Sequence, residues 1–145
     1  MLMVVTNSGK VQLLFNALCA VDETQWESWW IELFQSNTTV ANGSVLSDFT
    51  LADFPGYAHV EQTRAQFLGS AILSDVAHTT NTNSVEFTYS GDGSQTVYGW
   101  LLVGQDSGQV YAGQNFDTPR LMTDGAIENL DPFDFLLSSL CVCAG

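Results

Sequence analysis

The chain has 145 residues, 46% of them hydrophobic, and a formal net charge of -13, from 16 acidic residues against three lysines and arginines. That balance excludes extensive phosphate neutralisation, so neither nucleic acid nor an anionic membrane is an expected partner. The apolar content excludes a disordered acidic tail, and the length suits a single domain, 1–145, with a real core.

Charged residues are only 13% of the chain, so the surface must be built mostly from Ser, Thr, Asn, Gln and Gly, or be partly covered by other subunits. No apolar run approaches the ~18 residues of a membrane span. Residues 1–8 lack a basic segment and a cleavage pattern, so no signal peptide is expected. Cys19, Cys141 and Cys143 are an odd count without zinc-site spacing, and they read as reduced structural thiols.

Residues 8–20 predict a helix: Ser8 can cap it, and Val11, Leu14, Phe15 and Leu18 follow helical spacing. Residues 29–35 alternate, with Trp29, Ile31 and Leu33 on one side and Trp30, Glu32 and Phe34 on the other. That predicts a strand covered on both faces. A polar loop, 36–44, leads to a short turn that Ser47 can cap, and Pro55-Gly56 stops that unit. Residues 57–62 and 71–79 predict one strand each.

Residues 84–90 carry Val85, Phe87 and Tyr89 on one face. Gly91-Asp92-Gly93-Ser94 predicts a turn, and 96–104 a strand buried on both faces. Within it Tyr98 and Trp100 lie two apart, which places them on one face. Residues 105–108 turn the chain back into 109–116, Pro119 closes that hairpin, and 127–137 gives a final strand or two. The expected fold is mainly β: an antiparallel β-sandwich body, 27–137, with one N-terminal α-helix at 8–20.

Two stretches carry a family resemblance. One is Leu33-Phe34-Gln35-Ser36-Asn37 followed by the run 46–57, which ends in Phe54-Pro55-Gly56-Tyr57. The other is Val97-Tyr98-Gly99-Trp100, then Asp106-Ser107-Gly108, then Phe116-Asp117-Thr118-Pro119. With the helical opening Lys10-Val11-Gln12-Leu13-Leu14, the chain resembles a group of small tailed-bacteriophage virion structural proteins. The resemblance implies a capsid-decorating (cement) or tail-associated β-sandwich, and it carries over no catalytic residue.

Several chemistries are read and set aside. Asp106-Ser107-Gly108 and Ala77-His78 echo fragments of a serine-protease site, but the glycines such a nucleophile loop needs are missing. Asp92 sits in a turn without the alternating ligands of a calcium loop. His59 and His78 lack the Cys or His partners of a metal site. Asp131 and Asp134 can pose as glycosidase acids, yet chance pairs are expected in so acidic a chain. Asn37 and Asn42 open sequons that read as loop composition. No metal or cofactor is expected.

The expectation is therefore a non-enzymatic phage virion protein, most simply a decoration protein bound between major capsid subunits. Its partners would be the major capsid protein and copies of itself, a trimer by the resemblance. It would be made in the host cytoplasm and reside on the capsid surface. Candidate interface residues are Trp29, Trp30, Phe54, Tyr57, Tyr98 and Trp100. The alternative is a tail- or fibre-associated module recognising a host-surface ligand, with Trp26, Trp29, Trp30 and Trp100 available to stack on sugars.

Overall fold

A computed structural model describes residues 3–10, 27–63, 67–73, 76–81, 84–131 and 134–137. Among them run β1 (Val4–Val5), β2 (Trp29–Phe34), β3 (Val60–Gln62), β4 (Phe67–Leu73) and β5 (Val76–Asn81). β6 (Val85–Thr88), β7 (Ser94–Gly104), β8 (Val110–Thr123), β9 (Ile127–Leu130) and β10 (Asp134–Leu137) follow. They form antiparallel sheets: β1-β8-β7-β2-β3, then β10-β5-β4, and the ribbon β6-β9. The fold is mainly β, with sandwich-like packing of sheets and one short helix near the N-terminus, as the alternation predicts.

β2 shows why the sheets stack. Trp29, Ile31 and Leu33 enter one buried cluster with Val85, Phe87 and Leu130 of the β6-β9 ribbon and with Tyr89 just after β6. Phe34, from the other face, enters a second cluster with Val40 and Phe49. The loop after β2 therefore folds back over the sheet. Both faces are covered, which is what two-sided apolar alternation requires.

The helix begins a residue earlier than the sequence implied. Residues 7–10 are helical, and Thr6 rather than Ser8 caps them: its Oγ1 accepts from Gly9 N at 2.9 Å, and Lys10 N donates to Thr6 O at 3.0 Å. Residues 11–20 of the expected helix, with Cys19, lie outside the described residues, as do Trp26, Cys141 and Cys143. Ser47 sits inside a short 3-10 turn, Leu46–Asp48, and the capping is done by Asp48, whose carboxylate accepts from Val45 N at 2.9 Å.

Three further expectations need correction. Residues 71–79 are not one strand but parts of two, β4 and β5, paired antiparallel. Ser74-Asp75 is the local signal for a break. Pro119 does not end the hairpin, since β8 continues to Thr123. Asn115 pairs with Gly99 and Arg120 with Val97, so residues 116–119 stand opposite Tyr98 alone. A proline is tolerated in such a bulge because no ladder N–H is asked of it.

The same bulge overturns the shared face of Tyr98 and Trp100. Trp100 belongs to the first cluster with Leu102, whereas Tyr98 packs against the second, with Leu101 and Val103. The period-two rule fails between Tyr98 and Gly99 because a bulge resets the alternation.

Candidate functional site

The Phe54–Tyr57 corner is built as its sequence dictates. Tyr57 N donates to Phe54 O at 2.9 Å, closing a turn in which Pro55 fixes φ and Gly56 takes φ 83°. The Phe54 ring stacks on Tyr89 at 5.1 Å and Tyr57 stacks on Phe87 at 5.8 Å. Ser90 N donates to Pro55 O at 2.9 Å, so the corner locks the first sheet to the ribbon.

Tyr57 also does polar work at the edge of β2. Its hydroxyl donates to Glu32 Oε2 at 2.6 Å and accepts from Leu33 N at 2.9 Å. Glu32 is buried, and its other oxygen lies 3.0 Å from Nδ1 of the half-exposed His59. The imidazole stacks on Trp30 at 4.0 Å. Both Glu32 oxygens are thus engaged within the chain, and the cluster reads as an edge lock.

Burial, together with the hydrogen bond and charge of Glu32, pushes the Tyr57 phenol well above the ordinary tyrosine value of about 10. A folded-state pKa above the unfolded one gives stability that is fully present below pH ~10 and is lost as pH rises further. Tyr57→Phe should cost about 1–2 kcal/mol at neutral pH, because a buried carboxylate oxygen and an N–H lose their partner. It should also flatten the alkaline fall in stability. Urea melts of both proteins across that range check this, and parallel alkaline profiles would contradict it.

The candidate interface residues do not form one surface. Trp29, Phe54 and Trp100 are buried at 5%, 4% and 3% exposure, so they serve the core and are withdrawn from any subunit contact. Trp29 meets Tyr111 edge to face at 5.7 Å. Tyr57 is half-buried in the corner. Trp30 and Tyr98 keep part of their surface in water. The burial of Trp29 and Trp100 likewise removes them from sugar stacking.

Tyr98 instead borders a hollow of about 330 Å³, lined by Val4, Asn37, Thr39, Val40, Asn115, Phe116 and Pro119 as well. Asn115 fixes one wall: its Oδ1 accepts from Val40 N and its Nδ2 donates to Thr38 O, both at 2.8 Å. The hollow unites the β1 edge, the loop after β2, the β7 bulge and the β8 bulge. No local motif announces such a site.

The protease-like fragment has a different part. Glu27, unremarked in the sequence, accepts from Tyr111 Oη at 2.6 Å and Ser107 Oγ at 2.7 Å. It also accepts from the Asp106 and Ser107 amides at 2.9 Å. Ser107 is thus a turn residue tied to a carboxylate, and Gly108 completes the turn at φ 66°.

Among the described residues no group of three His, Cys, Asp or Glu side chains comes together to hold a metal, and no helix is long and apolar enough to cross a membrane. No protein-family model matches the chain, and no curated protein matches it.

Proposed function

We propose that the chain is a non-enzymatic bacteriophage virion structural protein, a decoration protein seated where major capsid subunits meet on the capsid surface. One observation carries the reading: the motifs behind the resemblance are the residues that build the fold. Leu33 and Phe34 enter opposite core clusters, the Phe54–Tyr57 corner joins the sheets, and Tyr98 stands opposite the bulge that Phe116-Asp117-Thr118-Pro119 makes in β8. Motifs that build a fold are the ones a shared architecture would keep, which supports carrying the resemblance to the fold.

The surface supports the same reading. Asp48, Asp53, Glu86, Asp92, Asp124 and Asp131 are exposed, on loops and on the outer face of the ribbon. A field of one sign repels nucleic acid and favours a partner able to receive acidic groups. Association as a homo-oligomer, a trimer by the resemblance, belongs to this proposal. Within the aromatic set, Trp30, on β2 between β7 and β3, retains surface for such a contact.

Gel densitometry of purified particles tests the proposal. A copy number of the same order as the major capsid protein is expected. A small fraction of that number would move the protein to the tail or connector, and absence from the particle would refute a virion role.

A further inference from the structure

We infer that the Tyr98 hollow is a binding site for a neutral carbohydrate residue. The inference concerns the isolated protein and stands whatever its place on a particle.

The hollow is already formed. Its volume, about 330 Å³, falls at the small end of the range for small-molecule sites, which suits one or two sugar rings rather than an extended chain. Its lining combines Tyr98, Phe116 and Pro119 with Asn37, Thr39 and Asn115, and contains no charged side chain. Aromatic and apolar surface suits the C–H face of a sugar, and amides and hydroxyls suit its hydroxyl groups.

The polar groups divide by commitment. Asn115 commits its Oδ1 and one Nδ2 hydrogen to the loop it pins. The Asn37 and Thr39 side chains and the Tyr98 hydroxyl make no hydrogen bond among the described residues. Asn37 and Thr39 are exposed at the rim and Tyr98 is half-buried in the wall. Three residues with uncommitted donor–acceptor groups therefore line one concavity together with aromatic surface.

Charge narrows the ligand further. A chain of net charge -13 repels anionic sugars and phosphates. The cation nearest along β8, Arg120, lies beside the lining residue Phe116, its Cζ 5.6 Å from the ring centroid, and its charge is offset by Glu128, whose Oε2 stands 3.6 Å from Nε. A neutral ligand is what remains.

Saturation-transfer NMR with the methyl glycosides of glucose, galactose, mannose and N-acetylglucosamine tests this, with a proline-containing peptide as the rival. At least one glycoside at roughly 10 mM should receive saturation, with a Kd of about 1 mM. Tyr98→Ala should weaken that binding roughly tenfold and Asn37→Ala roughly threefold. Asn37 is exposed, so its variant tests the site even if Tyr98→Ala perturbs the fold. Saturation of no glycoside, or of the peptide alone, overturns the inference. So does glycoside binding that both variants leave unchanged.

Discussion

Replacing Gly99 with alanine should destabilise the protein by about 3 kcal/mol, the upper end of the ordinary cost of overpacking. Gly99 lies where β7 is flanked by β2 and β8. A Cβ there would stand 2.3 Å from Gln114 O, 2.7 Å from Phe34 Cζ and 2.9 Å from Asn115 Cα. Two of those three atoms are backbone, so no rotamer change relieves the clash. Relief requires β7 and β8 to separate, which breaks the ladder beside the bulge. Gly43→Ala is the control: its added Cβ meets nothing within 4 Å and should change stability by less than about 0.5 kcal/mol. Urea denaturation of the two variants decides the matter. Equal midpoints would mean that β7 and β8 do not approach this closely.

Glu27→Ala should cost about 2 kcal/mol. The carboxylate gathers four hydrogen bonds, and its loss takes an acceptor from the hydroxyl of the fully buried Tyr111, from Ser107 Oγ and from two turn amides. Burial alone would raise the pKa of this group, but the bonds from Tyr111, Ser107 and Asp106 outweigh it and hold the pKa below the usual value. The sign of the pH dependence follows. A lowered folded-state pKa gives stability that is present above the ordinary glutamate value of about 4.3 and is lost as pH falls through the folded value. Glu27→Gln keeps the shape and cannot ionise. Its stability gap to the parent protein should narrow on acidification below pH ~4, and a gap constant from neutral to acid would contradict the ionic role.

Local patterns were legible where one residue meets its neighbours in sequence. The alternation of 29–34 and of Val85, Phe87 and Tyr89 reports burial because strands expose alternate residues to opposite faces. Phe54-Pro55-Gly56-Tyr57 reports a turn because Pro and Gly each restrict the backbone in a known way. Long-range choices left no such trace. β6 pairs with β9 rather than with its neighbour β7, so Gly91-Asp92-Gly93 carries the chain between sheets and does not close a hairpin.

The candidate site was the least legible part. Gly99 inside an apolar strand was the available signal for a bulge, since strand glycines mark bulges and close backbone approach. Read as a regular strand, 96–104 put Tyr98 beside Trp100 and hid the hollow. Glu27 acts on residues some 80 positions away, beyond any spacing rule. The tryptophans drew attention as ligand contacts because they are large. Size also makes them good core residues, and Trp29 and Trp100 are used that way.

The central claim is a place on a particle, and a reconstruction of the virion with and without this protein tests it most directly. The account predicts difference density repeated over the capsid surface at the junctions between major capsid subunits, each with the volume of one or more 15.8 kDa sandwiches. Difference density confined to the tail, or none at all, would contradict it.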